Sequence, residues 1–486
     1  MLLREGDTCW RAVRADRAAL LIDMACYFEA AKAAMLKARR SIHFLNWAFE
    51  QDTLFSPQPG GDGPASDRIG NFLKALANAN HDLDVRILCW KSAMPVAATQ
   101  HFFPFADRRA FTGSRVRFVL DGKLPMGACH HQKMLIVDDA VGFCGGGDIG
   151  PDRWDTPEHL DNDTRRQKTR RDHKDFDSRH EVMSIVDGEA ATALGGLFRD
   201  RWLRATGEAV PPPKGRRGSA WPACVTPDFR DVEVGLSRTL PAWRGDPSVR
   251  EIENLHLAAI EGAREVIYME NQYFTSPVIA EALAKRLRAR SGPEVILVST
   301  EHSPSYFDQA TMDKTRMDFV RHLKAADRHG RFGAYSPVTT LGRTIIVHAK
   351  LTIIDDELLR IGSANINNRS LGFDTECDLS IGASGDGAAP ARARIAALRT
   401  RLLAHWLGCD DAVVEAARAR AGGLIAALED MRTHGYARLR PIEVGTMNLF
   451  SALVAKYHLG DPVGTRDAWR PWSRRQACGA TWDRRG

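Results

Sequence analysis

The chain has 486 residues, 44% hydrophobic and 26% charged, which excludes a largely disordered chain and leaves room for roughly two to four domains. Lysine plus arginine exceed aspartate plus glutamate by 67 − 61 = 6, a mild excess that suits an anionic substrate or a membrane surface without requiring either. No run approaches the roughly 18 apolar residues of a membrane span, and the opening MLLREGDTCWRAVR carries charges where a secretory signal needs an apolar stretch. Nine scattered cysteines, an odd number without a Cys-x-x-Cys pair, read as reduced thiols rather than a disulfide framework or zinc site.

Residues 17–50 read as a helix followed by a strand: Ala18, Leu20, Leu21, Met24 and Phe28 recur at helical spacing, and SIHFLNWAF is rich in strand formers. Further strands are predicted at 84–90 and 114–122. The long loop between them carries Phe102, Phe103 and Phe105 beside Arg108 and Arg109, a set that would suit a lipid interface. A fourth strand begins at 130 and breaks near Asp138-Asp139. The second half repeats this order, with a helix at 251–263 and strands at 264–274, 294–300 and 348–356. ARRSIHFLNWAF echoes AREVIYMENQYF, HQKMLIVDD echoes HAKLTIIDD, and His131 lies 217 positions before His348. An internally duplicated α/β unit is the expected architecture. The predicted divisions are an N-terminal lobe over 1–210, a linker over 211–240 that opens on Pro211-Pro212-Pro213, a C-terminal lobe over 241–410, and a helical, basic tail over 411–486 with Trp469, Trp472 and Trp482. Residues 161–180, dense in charge, read as a polar surface loop.

The chemistry sits in a pattern that occurs twice. His131, Lys133 and Asp138 form H-x-K-x4-D, and so do His348, Lys350 and Asp355. Composition predicts such a triple on the order of a few hundredths of a time in this length, so two copies are not accidental. Each is followed by a glycine-bearing turn, Gly145-Gly146-Gly147-Asp148 and Gly362-Ser363-Ala364-Asn365, which lets backbone approach an anion. In extended chain the histidine and lysine share a face, whereas each aspartate, seven positions on, faces away and reads as a structural anchor. Two such pairs facing across a pseudo-twofold axis would hold the oxygens of a phosphodiester with two ammonium groups. One imidazole would attack phosphorus while the other served as acid and then base. The lysines supply the charge a metal would supply, so neither metal nor cofactor is expected. His130 alternates to the other face and reads as structural. A zinc site from His130, His131 and the nearby aspartates is disfavoured because adjacent strand residues diverge.

At these residues the sequence resembles the phospholipase D superfamily, and in HHQKMLIVDDAVGFCGGGDIGPDRWDTPEH, MENQYF and HAKLTIIDDELLRIGSANINNRSLGFDTE its eukaryotic-type branch. The resemblance spans roughly 17–410. It implies an α/β fold of two similar α/β/α sandwich lobes related by pseudo-twofold symmetry, with one active site between them. It implies His131 as nucleophile, His348 as general acid, Glu376 as the carboxylate orienting the nucleophile, and Asn365 as a phosphate contact. Asp148 is expected to orient His348 or a backbone group, with Asp155 a second candidate. Nothing in the chain resembles a calcium-binding C2 module, so calcium dependence is not carried over.

The expected activity is hydrolysis of phosphatidyl lipids to phosphatidic acid, with transfer to alcohols, by a monomer meeting phospholipid at a membrane surface. A phosphatidyltransferase making cardiolipin or phosphatidylethanolamine is the alternative. A nuclease fits less well with two motifs in one chain and a modest charge, so no nucleic-acid partner is expected, and a non-enzymatic binding module would need a damaged motif. The expected location is cytoplasmic or peripheral to a membrane, and Sec-independent secretion would leave the same sequence.

Overall fold

The computed structural model describes residues 2–92, 104–166, 176–214, 219–383, 388–445, 452–454, 457–458 and 460–464. Phe102, Phe103, Cys478 and the three tail tryptophans lie outside them, as do 167–175 of the predicted surface loop.

The first half supplies strands β1 (Arg11–Ile22), β2 (Ser41–Asn46), β3 (Asp84–Trp90), β4 (Arg117–Asp121), β5 (Met134–Val137), β6 (Val141–Gly145), β7 (Arg179–His180) and β8 (Val182–Asp187). The second half supplies β9 (Phe229–Leu240), β10 (Val249–Arg250), β11 (Val266–Asn271), β12 (Glu294–Val298), β13 (Phe332–Pro337), β14 (Ile346–Val347), β15 (Lys350–Ile354), β16 (Leu358–Gly362), β17 (Glu376–Gly382) and β18 (Leu439–Pro441). All but β7 and β14 join one sixteen-stranded mixed sheet, in the order β18-β13-β12-β11-β15-β16-β17-β9-β1-β8-β6-β5-β2-β3-β4 with β10 beside β9. The order reads alike outward from the antiparallel β1–β9 pair, where Val13 faces Val234. The pseudo-twofold axis therefore runs between these two strands, and the sheets of the two lobes are continuous rather than separate. Matching 19-residue helices, Gly188–Thr206 and Ala389–Leu407, follow β8 and β17.

Three sequence expectations are corrected. Ala18, Leu20 and Leu21 belong to β1, and the helix starts only at Met24. Ala18 and Leu20 enter one hydrophobic core while Ala19 and Leu21 enter another. A strand buried on both faces is continuously apolar, and over so short a run that pattern cannot be told from a helix. Residues 229–240, expected in the linker, are β9, at the middle of the sheet. Ser178, Arg179 and His180, expected in a surface loop, are buried. The described tail carries helices Asp411–Ala421 and Leu424–Thr433, and β18 extends the sheet. All eight cysteines among the described residues are unbridged. No helix among the described residues is long and apolar enough to cross a membrane.

The motif aspartates stand in the hairpin turns that close β5–β6 and β15–β16, with positive φ at Asp138 and Asp355. Asp138 accepts the backbone N–H groups of Arg39, Arg40 and Ser41 at 2.7–2.8 Å, and Asp355 those of Arg264, Glu265 and Val266 at 2.8–2.9 Å. Each turn is thereby tied to the start of the neighbouring strand, β2 or β11. Asp138→Ala would orphan three N–H groups and is expected to lower stability by about 3 kcal/mol in chemical denaturation. An unchanged midpoint would show that the anchor is dispensable.

Candidate active site

Each motif histidine is held by the opposite half. The backbone of 129–131 docks on Thr375: Thr375 N–H donates to Cys129 O at 3.1 Å, and His131 N–H to Thr375 O at 3.0 Å. The symmetric contact pairs β14 with β7, and His348 N–H donates to His180 O at 2.8 Å. Each docking segment runs straight into a buried glutamate. His131 Nδ1 lies 2.9 Å from both oxygens of Glu376, and His348 Nδ1 hydrogen-bonds Glu181 Oε2. With Nδ1–H donated to a carboxylate, Nε2 of each ring carries the free lone pair. The side chains of His131 and His348 are 16% and 10% exposed and both carboxylates 0%, so the rings are what meets solvent.

Lys133 and Lys350 are fully buried. Lys133 Nζ donates to the carbonyl of His131 at 2.8 Å, and Lys350 Nζ to that of His348. Lys133 also pairs with Asp148 at 3.3 Å. Burial first, and then Lys133 and Lys350 together, hold His131 well below the usual imidazole range. Burial, Lys350, Arg179, Arg153 and Lys133 do the same to His348. Both lysines thus act on both histidines, and the two motifs make one electrostatic site. Burial, reinforced by Lys133, brings Lys350 down to about 7 against the opposing pull of Glu181. Burial raises Glu181 to about 7 and Glu376 to about 8.

The glycine turns also cross between halves. A Cβ on Gly146 would lie 2.8 Å from Lys350 Cδ and would collide with Glu181 Oε1, so only glycine leaves room there. The equivalent residue after the second motif is Ser363, whose hydroxyl donates to Glu376 Oε2 at 2.5 Å.

Asp148 does not reach His348; of the two expected roles it takes the backbone one, accepting the N–H groups of Trp47 and Ala48 at 3.0 Å beside its pairing with Lys133. Asp155 does not orient His348 either. It binds His159 Nδ1 and the backbone N–H of Arg179, each at 2.9 Å. Asn365, the positional equivalent of Asp148, is buried, and its Oδ1 has no hydrogen-bond partner. His130 is fully buried beside Asp121, which Arg201 also holds.

Sequence reasoning missed Glu181. Glu376 opens β17 and Glu181 immediately precedes β8, the strand at the matching place in the first half. Glu376 follows its motif histidine by 28 positions and Glu181 by 50, so the charged insertion ahead of β8 hides the correspondence.

Residues 256–392 match the family model described as "Cardiolipin synthase, PLD-like domain". Phospholipase D alpha 1 of Ricinus communis is 24% identical over 519 residues, covering 78% of this chain and 63% of the relative. Phospholipase D1 of Schizosaccharomyces pombe is 25% identical over 383 residues, covering 59% and 28%. The chain is thus similar to members of the phospholipase D superfamily. Both of these relatives are phospholipases D of eukaryotes, and the chain spans less than two thirds of the length of each. The crystal structure of phosphatidylserine synthase from Haemophilus influenzae Rd KW20 shares the fold, with a TM-score of 0.56, 12% identity, and coverage of 97% of this chain and 95% of that one.

Proposed function

We propose that the chain is a phospholipase D-type phosphodiesterase that hydrolyses phosphatidyl lipids to phosphatidic acid and transfers the phosphatidyl group to alcohols. One observation carries the proposal: two histidines, each backed by a carboxylate from the opposite half, share two buried lysines. In this reading Lys133 and Lys350 hold the non-bridging oxygens of the diester. His131 Nε2 attacks phosphorus, the bond from phosphorus to the headgroup oxygen breaks, and His348 gives that oxygen its proton. Water or an alcohol then loses a proton to His348 as it attacks the phosphohistidine, and His131 leaves. The negative phosphate offsets part of the lysines' charge, which favours the protonated form of His348 once substrate is bound. The substrate would be met at a membrane surface. Phe105, 42% exposed at the start of helix Pro104–Ala110 and beneath the guanidinium of Arg108, is a contact for that surface.

Purified protein would be incubated with phosphatidylcholine and phosphatidylethanolamine vesicles, with and without ethanol, and the lipids read by mass spectrometry. Phosphatidic acid, joined by phosphatidylethanol when ethanol is present, is the expected result. Cleavage of simple diesters or nucleic acid without any lipid product would reject the lipid assignment. A phosphatidyltransferase is the second reading, since the same intermediate serves it and the matched family model and fold neighbour carry synthase names. Turnover only with added phosphatidylglycerol or another specific acceptor would favour it.

Lys350 must be protonated to hold phosphate, so kcat/KM on a soluble phosphodiester is expected to fall as pH rises through about 7. The Glu181 carboxylate raises the lysine's pKa. Glu181→Gln removes that anion, from the lysine and from His348 alike, and both effects move the alkaline limb to lower pH. A limb that stays in place in this variant would contradict the assigned coupling.

A further inference from the structure

We propose that Asp23, His159, His180 and His405 form a structural zinc site directly behind the active centre, joining the two halves of the chain. Their donor atoms all lie within 4.8 Å of one another, and all but the half-buried His405 are buried. His159 Nε2 is 3.3 Å from His405 Nε2 and 3.5 Å from Asp23 Oδ2, and His180 Nδ1 is 3.1 Å from Asp23 Oδ1. Tetrahedral zinc with bonds of about 2.0–2.1 Å places its donors about 3.3 Å apart.

The surroundings set the tautomers. His159 Nδ1 is 2.9 Å from Asp155, and His180 Nε2 is 2.9 Å from Glu270, which Trp406 Nε1 and Tyr268 Oη hold in turn. A carboxylate on the far nitrogen of each ring is the usual support of a metal-bound histidine, and it leaves His159 Nε2 and His180 Nδ1 as inward lone pairs. Asp23 Oδ2 is buried without a hydrogen-bond partner, and His180 Nδ1 faces Asp23 Oδ1 at 3.1 Å, an arrangement a cation between them would satisfy. Asp23 also adopts φ 67, ψ 153, a backbone conformation that ordinarily belongs to glycine, in placing its carboxylate. Three imidazoles and one carboxylate make a zinc ligand set, and four protein ligands leave no open position, hence a structural ion.

The ligands come from the end of β1, the segment after the first motif, β7, and the second-half helix Ala389–Leu407. Asp23 N–H donates to Glu181 O at 2.8 Å, and Glu181 N–H to Asp23 Oδ1 at 3.0 Å. The ion would therefore also fix the residue that holds His348. This departs from the expectation that no metal is needed, because the ion's role is architectural and not chemical.

The test uses the full chain and does not read activity. Elemental analysis of protein expressed with zinc is expected to show about one zinc per chain, falling to below about a tenth in His159→Asn and His405→Gln and unchanged in His130→Ala. Chelated wild-type protein refilled with cobalt is expected to show the intense visible bands of tetrahedral coordination, and its melting temperature to fall on chelation and recover with zinc. A folded wild-type chain that holds no zinc and develops no cobalt bands overturns the proposal, even where the variants fail to fold. Zinc retained in both histidine variants places the ion elsewhere and overturns it equally. Lipid turnover can fail without affecting either readout, so this proposal and the functional one are separable.

Discussion

His131→Ala is expected to lower turnover of a phosphatidyl substrate by at least ~10^4-fold and to abolish any covalent phosphoenzyme, because it removes the atom that bonds phosphorus. His348→Ala should be equally inactive on natural lipids but differ in kind. With a diester whose leaving group needs no protonation, its first step should proceed, and phosphohistidine on His131 should accumulate because no base remains to activate water. The check is mass spectrometry of acid-sparing digests after incubation with a nitrophenyl diester. The roles follow from which variant traps the intermediate. Accumulation in His131→Ala, on His348, would reverse the two assignments while leaving the site intact. The near symmetry of the site, with a carboxylate behind each ring and both lysines acting on both, is why the experiment is needed.

Lys133→Met and Lys350→Met are expected to cost roughly 10^2–10^3-fold each in kcat, the scale of removing one preorganised group that meets charge developing in the transition state. Both ammonium groups are fully buried and each is anchored on the carbonyl of its own histidine. Arginine should not rescue Lys350, whose stem packs at Cδ against Gly146 and leaves no room for a planar fork. Lys350→Met should also raise the pKa of His131 and His348, because both are depressed by that charge. In the residual activity the acid limb of the pH profile should therefore move upward. Near wild-type kcat in either methionine variant would remove the lysines from the mechanism and leave phosphate binding to other groups such as Arg153 or Arg179.

Much of the site was legible because its chemistry is written in short range. Histidine, lysine and aspartate fall within eight residues, twice, although the strand expected from 130 begins only at Met134 and its counterpart at Lys350, so both histidines precede the strands and both aspartates stand in the turns after them. Asp138 and Asp355 do bind backbone at the hairpin turns. What the sequence concealed is what crosses between the halves. Glu181 supports His348 from the opposite half, and the longer first-half insertion breaks its register with Glu376. Asp148 and Asp155, nearer in sequence to the motif, were the natural candidates for its role, yet the fold commits them to backbone groups and to His159.

The same division holds for the architecture. Duplication, the α/β class and the identity of the paired histidines and lysines follow from sequence, because repeated spacing and local periodicity survive without any knowledge of distant contacts. The single continuous sheet, the β1–β9 seam, the exchange of carboxylates across it and the cluster of Asp23, His159, His180 and His405 depend on residues brought together from across the chain. Asp23 and His405 stand 382 positions apart. No local pattern can encode such a meeting; it is decided when two halves that resemble each other close on one axis and bury the groups between them.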